Sequence, residues 1–365
     1  MRYLLLEYMT NRHAGLPVIK MLLMNGFDMT TGDSHGERAL DNTFRQAFRI
    51  RDLAMAKYLL EHGADIKCRS PVPHETDLHT ATRLMHWPMV EMLLLSGVEI
   101  NARNRENETA LFIAAIRKEL DDPEKKLFVC YNVDGTEDLN RPALLKDFNS
   151  SARLPVIKLL DAGIDANAKD HKNNTVLFRA VCRESTPIVE QLLDHGADIH
   201  ALNSDDRSTA LHAAAGCGDL LLVQTLLANG CDINSQRNNG STALHIALQH
   251  RDIEMANFLL ESGIDISACA KLLHHFDHNP HVADGASALY FVVRWGHEGL
   301  AKQLLAKGAS VNVQYHLKYG EGFRADESLR NRMAAMFDNC WFRPVILCEG
   351  RDGDVQTRPH TFGRQ

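Results

Sequence analysis

A seven-residue pattern that recurs after 33 residues is the feature that most constrains how this chain can fold. Ser208–Ala214 reads Ser-Thr-Ala-Leu-His-Ala-Ala, and Ser241–Ala247 reads Ser-Thr-Ala-Leu-His-Ile-Ala. Each copy is followed by a pair of leucines and then by a glycine. A repeat period of this size is typical of proteins that are built from stacked units.

One such unit predicts two short helices. Thr209 suits a helix N-cap, because its hydroxyl can accept one of the free backbone N–H groups of the first turn. Apolar residues then recur at helical spacing from Leu211 to Ala215. Gly218 separates this helix from a second, more apolar one, which Gly230 ends in a left-handed conformation. Helices of about eight residues are too short to be stable alone, so the units must stack to bury their apolar faces.

The motifs Thr-Ala-Leu-His-x-Ala and Leu-Leu-x-x-Gly-x-Asp-Ile-Asn, together with the 33-residue period, resemble the ankyrin repeat. The sequence departs from that family at Ala210 and Ala243, where proline is usual. The resemblance implies a unit in which loop tips and first helices line a concave groove, with the second helices on the back. We therefore predict an all-α ankyrin-repeat solenoid of eight or nine helix-turn-helix repeats, with loops or short β-turn fingers between them.

The Leu-Leu pairs that precede a glycine mark the second helices along the chain. They stand at Leu22-Leu23, Leu59-Leu60, Leu93-Leu94, Leu159-Leu160, Leu192-Leu193, Leu226-Leu227, Leu259-Leu260 and Leu304-Leu305. This series predicts a capping repeat at 1–31, a repeat array at 32–312, and a C-terminal cap with a polar tail at 313–365. Within the last region, helical spacing of apolar residues predicts a capping helix from Asp326 to Phe337.

The interval between Gly97 and Gly163 spans 66 residues, which is two periods, and it has two interpretations. Residues 117–153 are either a degenerate repeat or an insertion within one repeat. The conserved period and the leucine at Leu144 favour a hidden ninth repeat, which is our preferred interpretation. Lys126 and Cys130 stand where leucine and glycine are expected, which argues for an insertion.

Composition and motif content bound the function. The net charge of -7 gives no general attraction to nucleic acid. No apolar run approaches the roughly 20 residues that cross a bilayer, and Tyr3–Leu6 is too short for the core of a signal peptide. The eight cysteines are scattered, as expected for reduced thiols in a cytoplasmic or nuclear protein. Because no catalytic or cofactor motif is found, we expect a monomeric, non-catalytic protein that binds another protein and holds no cofactor.

The residues that the repeat does not need are the candidates for binding. The ankyrin resemblance implies that the fifth and sixth positions after the leading leucine face the groove, and arginine fills five of the sixteen such positions. These are Arg45, Arg83, Arg117, Arg183 and Arg294, to which the loop tips add Arg103, Arg105 and Lys172. We predict a locally basic groove for an acidic peptide or protein surface, since the arginine fork suits carboxylates. The alternative is that these are ordinary solvated arginines whose stems pack on neighbouring repeats.

A second cluster of groove positions lies near the end of the array, at Gln249, His250, Arg294 and Trp295. Trp295 is a candidate aromatic anchor for the partner. Because these side chains also suit acid–base chemistry, an enzyme or small-ligand pocket here is the alternative interpretation.

Residues 268–283 form a histidine-rich excess over the repeat period. If residues 271–278 are helical, His274 and His278 share one helix face, and His281 is near enough in sequence to loop back. The expectation that follows is a weak candidate site for zinc or nickel.

His79, His212 and His245 occupy one equivalent position in three repeats. The ankyrin resemblance implies that the imidazole at this position holds the backbone of a neighbouring turn. We therefore expect these three histidines to be structural.

Overall fold

The computed structural model describes residues 16–26, 28, 38–66, 75–116, 156–274, 281–310, 315–318, 346–349 and 355–357. The chain divides into two compact units, Met1–Asp198 and Ile199–Gln365, here called unit 1 and unit 2. Short paired helices build both units, as the repeat pattern predicts. The capping helix expected at 326–337 lies outside the described residues.

Unit 1 consists of successive helix pairs joined by short turns and loops. Its described helices are α1 (Leu16–Met24), α2 (Ala39–Arg49), α3 (Leu53–Glu61), α4 (Asp77–Arg83), α5 (Trp87–Leu95), α6 (Ala110–Ile116), α7 (156–161), α8 (Val176–Val181) and α9 (Thr186–Asp194). The first helices of consecutive pairs pack on one another, α2 on α4, α4 on α6 and α6 on α8. The second helices α3 and α5 form a second layer behind them.

The contacts around residues 117–155 bear on whether this stretch hides a repeat. Helix α6 packs directly on α8, in the same way as α4 packs on α6. Lys158 of α7 forms an ion pair with Glu91 of α5, and the Arg103 guanidinium donates to the Lys169 carbonyl oxygen at 2.8 Å. These contacts favour an insertion rather than our preferred hidden repeat, although residues 117–155 lie outside the described residues and the repeat count stays a prediction.

Unit 2 continues the helix pairs and adds a small sheet. Its described elements are α10 (Ala210–Cys217), α11 (Leu220–Ala228), α12 (Ala243–Gln249), α13 (Ile253–Glu261), β1 (Cys269–His274), β2 (His281–Ser287), α14 (Ala288–Trp295), α15 (Glu298–Ala306), β3 (Tyr315–Lys318), β4 (Ile346–Glu349) and β5 (Val355–Thr357). Helix α12 packs on both α10 and α14. The sheet order is β1-β2-β3-β4-β5, with only β3 and β4 parallel.

The expectation of a helix over residues 271–278 is wrong for residues 271–274, which belong to strand β1. The same excess segment also supplies the antiparallel partner, β2, so the backbone groups of β1 are satisfied across the hairpin. At the base of this hairpin Ala270 lies opposite Ala286, and both are fully buried. The sequence pattern, which was read for helical spacing, did not predict this sheet.

The core is built on the leucines that marked the repeats. The first leucine of each pair from α3 onward is 0% exposed, namely Leu59, Leu93, Leu159, Leu192, Leu226, Leu259 and Leu304. Burying one leucine side chain stabilises the fold by about 1.5–3 kcal/mol. The longest helix in the described ranges has 11 residues, and none of the described helices has the length and apolar character to cross a membrane.

Three histidines each link the first helix of their own repeat to the segment that precedes the next first helix. At His212, the Thr209 hydroxyl donates to Nδ1 at 2.8 Å, and Nε2–H donates to the Ser241 carbonyl oxygen at 3.2 Å. The same arrangement joins Thr76, His79 and Glu108 in unit 1, and Thr242, His245 and Ala286 in unit 2. All three imidazoles are at most 1% exposed, which confirms their structural role.

These histidine clamps predict a loss of stability in mild acid. Burial lowers the pKa of His212 and of His245 to about 4. An unfolded imidazole titrates near 6.5, so below that pH the unfolded chain binds protons that the folded chain does not. We expect the free energy of unfolding to fall as pH drops from about 6.5 to about 4, by up to about 1.4 kcal/mol per pH unit for each histidine.

Urea unfolding between pH 7 and pH 4.5 checks this expectation, with His212→Gln as the comparison. The glutamine amide keeps a donor but does not titrate, so the variant should lose less stability over this range than the natural chain. Equal losses for the two proteins would contradict the assignment.

The turn between the two helices of a repeat requires a left-handed residue. Gly218 fills this position with φ 76°, whereas Arg51, Met85, Glu184 and Arg251 fill it in other repeats with φ between 54° and 59°. A residue with a Cβ is strained in this conformation by about 1–2 kcal/mol.

We expect Glu184→Gly to raise the free energy of unfolding by about 1 kcal/mol, because it removes that strain. Gly218→Ala should lower it by a similar amount, since the added Cβ would also lie 3.4 Å from the Asp252 carboxylate. Thermal and urea unfolding of both variants check the pair. A stabilised Gly218→Ala protein would show that the turn tolerates side chains freely.

Candidate interaction surface

The predicted binding arginines near the start of unit 1 are engaged by carboxylates. Arg83 ends α4 with its side chain 48% exposed and forms an ion pair with the buried Glu75. Arg45 lies in the middle of α2, because this helix has one more turn than the other first helices of unit 1. Arg49, rather than Arg45, therefore stands at the helix end that corresponds to Arg83.

The surroundings of Arg45 are acidic. Burial raises the pKa of Asp77 to about 7, and Arg45 opposes that rise while Asp41 and Asp65 add to it. Asp41 in turn pairs with Arg38, with 2.7 Å between Nε and Oδ2. Because Asp41 and Glu75 form ion pairs with Arg38 and Arg83, this part of unit 1 offers little net positive charge to a partner.

The loop with residues 101–108, before α6, and the loop with residues 165–174, before α8, form a second, more basic region. These two loops are called fingers. Arg103 donates to the carbonyl oxygens of Asn107 and Lys169, at 3.1 and 2.8 Å, so its charge fastens one finger to the next. The His171 N–H also donates to the Glu106 carbonyl oxygen, at 2.9 Å. These bonds join segments that are about 65 residues apart in the sequence.

Exposed cations stand on these joined fingers and beside them. Arg105, Lys169 and Lys172 are exposed at the fingers, and Arg183 is exposed just after α8. We call these four residues the basic finger surface. Arg117, predicted to belong with them, lies outside the described residues.

Asp170 builds the turn that presents Lys172. Its carboxylate accepts backbone N–H groups of Lys172 and Asn174 at 2.8 and 2.9 Å, and it is 2% exposed. Asn173, in the left-handed region at φ 56°, completes the turn. The carboxylate is therefore turned to the backbone of its own finger, and the lysine stands on the outside.

The predicted cluster in unit 2 is partly described. Gln249 and His250 are exposed at the end of α12. Trp295 is half-buried at the end of α14, where its ring lies 5.6 Å from that of Phe291. Arg294 lies in the same helix, but its side chain is outside the described set.

The metal candidates are only partly testable. His274 and His281 face each other across the hairpin of β1 and β2, and His278 lies outside the described residues. Within the described ranges, no group of three or more histidine, cysteine, aspartate or glutamate residues could hold a metal ion. The described residues give no support for a metal site, which stays a prediction.

Sequence patterns missed two arginines, Arg51 and Arg251, that stand at the left-handed turn between the helices. Arg51 donates to the Leu84 carbonyl oxygen of the next repeat at 3.1 Å, and the Arg251 guanidinium lies 5.9 Å from the centre of the Trp295 ring. This position can be recognised in the sequence, because it immediately precedes the aspartate that caps the second helix.

The different roles of Arg103 and Arg105 lead to a prediction. Arg103→Ala removes two charge-assisted hydrogen bonds, one within its own finger and one to the next finger, and should lower the free energy of unfolding by about 1 kcal/mol. Arg105→Ala changes an exposed side chain and should alter stability by less than about 0.5 kcal/mol. Chemical unfolding of both variants measures the difference, and equal effects would contradict the clamping role of Arg103.

Family models match several stretches of the chain. A model described as ankyrin repeats (3 copies) matches residues 148–237 and 200–270, and a model of the ankyrin repeat matches residues 284–315. These matches include the histidine clamps of unit 2 and the basic residues from Lys169 to Arg183.

Curated relatives share parts of the chain. It is similar to the B-cell lymphoma 3 protein homolog of Mus musculus, with 33% identity over 165 residues, 43% of this chain and 36% of that protein. It is also similar to the nuclear factor NF-kappa-B p105 subunit of Gallus gallus, with 29% identity over 226 residues, 59% of this chain and 22% of that protein. Ankyrin repeat and SOCS box protein 6 of Homo sapiens is 29% identical over 157 residues, 41% of this chain and 30% of that protein. The matches span only 22–36% of these three relatives.

Proposed function

We propose that this chain, which is an ankyrin repeat protein, binds another protein through the basic finger surface of unit 1, and that the partner supplies an acidic segment. Ankyrin repeats support a role in protein–protein interaction. The acidic nature of the partner rests on the charges of this chain. We propose no catalytic step.

The observation that carries the proposal is the exposure of four cations on fingers that are already joined. Arg105, Lys169, Lys172 and Arg183 are exposed, whereas Asp170 beside them accepts hydrogen bonds from its own backbone. Glu106 and Glu184 are also exposed and reduce the net charge without cancelling it. A surface of this kind favours a partner segment that carries carboxylates.

The rigidity of the fingers supports the same proposal. The bonds from Arg103 and Asn107 to the Lys169 carbonyl oxygen, and from the Asp165 N–H to Asn101 at 2.7 Å, hold the two fingers together. A partner that docks on pre-ordered loops loses less conformational entropy on binding. Exposed cations on such a scaffold contribute more of their attraction to affinity than cations on loose loops.

Arg83 and Arg45 contribute less in this proposal than the sequence pattern suggested. Their charges are opposed by Glu75, Asp77 and nearby aspartates. The basic part of the surface is accordingly narrower than a groove that runs the length of the array. It covers the fingers and the end of α8.

The combined variant Lys172→Glu/Arg183→Glu tests the proposal. Reversing two charges on the surface should weaken partner binding at least about tenfold at low salt, and added salt should weaken binding to the natural protein as well. Affinity purification with mass spectrometry identifies partners, and titration of a purified partner then measures the dissociation constant.

The matched control is Lys57→Glu/Lys302→Glu, which makes the same change in net charge on two exposed lysines of second helices. Partners retained by this control but lost from Lys172→Glu/Arg183→Glu support the basic finger surface. Equal retention by both variants at low and high salt would falsify the proposal.

A further inference from the structure

Arg251 of unit 2 holds its guanidinium over an indole ring. The guanidinium carbon lies 5.9 Å from the centre of the Trp295 ring, within the range of a cation–π contact. Phe291, 2% exposed, contacts the same indole with its ring centre at 5.6 Å. The arginine is exposed at the turn between α12 and α13, so a charged group is held at the surface on a packed aromatic support.

Unit 1 contains a matching arginine with a different contact. Arg51 and Arg251 both precede an aspartate that caps the next helix, and both have φ near 58°. Arg51 donates to the carbonyl oxygen of Leu84, which occupies the same repeat position as Trp295. The guanidinium in unit 1 is thus satisfied by the neighbouring backbone, whereas in unit 2 it lies against an aromatic face.

An aromatic face does not use the hydrogen-bond donors of a guanidinium. The five N–H groups lie in the plane of the guanidinium and stay able to bind a planar anion in a fork-like arrangement. In the described part of the chain, no hydrogen bond or ion pair is found for the Arg251 guanidinium. The adjacent Asp252 carboxylate accepts the Met255 N–H at 3.0 Å and caps α13.

We infer that Arg251, supported by Trp295, binds a carboxylate side chain of an acidic protein segment. Gln249 and His250, exposed immediately before it, flank the site with hydrogen-bonding groups. The inference rests on the proposed function and adds to it a second contact for the same kind of partner. It concerns unit 2 alone.

The backbone of Arg251 sets the direction of its side chain. Its left-handed conformation is one that glycine adopts without strain, and Gly218 and Gly296 fill the same turn elsewhere in unit 2. Here the conformation brings the guanidinium onto the indole of the following repeat.

The test uses the full chain and two synthetic peptides of twelve residues, one with six glutamates and one with glutamines in their place. Dissociation constants are measured by fluorescence anisotropy for the natural protein and for Arg251→Gln, Arg251→Lys and Trp295→Leu. The matched control is Arg51→Gln, which changes the equivalent turn in unit 1. Glutamine and lysine keep an unbranched side chain at the strained position, so backbone strain stays comparable.

We expect Arg251→Gln to weaken binding of the glutamate peptide about tenfold, which corresponds to the loss of a charge-assisted contact. Arg251→Lys should keep part of the affinity, since it keeps the charge but not the planar fork. Trp295→Leu should weaken binding several-fold, and Arg51→Gln should leave it unchanged. The glutamine peptide should bind weakly and equally to all variants.

The outcomes separate the two proposals. Unchanged affinity of Arg251→Gln for the glutamate peptide, with a clear loss for Lys172→Glu/Arg183→Glu, overturns the role of Arg251 alone. The reverse result supports Arg251 and overturns the basic finger surface. If the natural protein does not prefer the glutamate peptide to the glutamine peptide, both proposals are wrong.

Discussion

Burial between neighbouring helix pairs is the interaction on which the rest of this structure depends. The described helices have between six and eleven residues, and helices of that length are marginal in water. They persist because the first leucine of each Leu-Leu pair, from α3 onward, is fully buried in the stack of helices. The histidine clamps also orient neighbouring repeats, since each imidazole donates a hydrogen bond to a backbone carbonyl oxygen of the following segment. Surfaces that recognise partners are then built on positions that the stacking leaves free.

The repeat units could be predicted from the sequence because leucine spacing, glycine turns and the Thr-His pair each have one local structural meaning. The helix break at Gly218 and the left-handed Gly230 were predicted from such local patterns, and the clamps at His212 and His245 were expected from the ankyrin resemblance. The pairing of β3 with β2 and with β4 was missed because it joins residues that are more than 30 positions apart in the sequence. Long-range pairing leaves no short periodic signal.

The candidate surface was harder to predict. A position in the repeat gives the location of a residue's backbone but not the groups that its side chain contacts. Arg45 and Arg83 fit the same positional rule as Arg183, yet buried carboxylates oppose the first two. Asp77, in the place where the family usually has proline, could not be recognised as a partner of Arg45 from spacing alone. Arg251 was overlooked because its turn position, held by residues as different as Gly218, Met85 and Glu184, is not one of the groove positions of the repeat.

Helices α6 and α8 are neighbours in space although they are not neighbours in the sequence. Helices α6 and α8 pack on one another as neighbouring first helices, although residues 117–155 and helix α7 lie between them in the sequence. The stacking of first helix on first helix therefore fixes the register of the array through contacts in space, so that the length of the chain between two such helices does not by itself set where they pack.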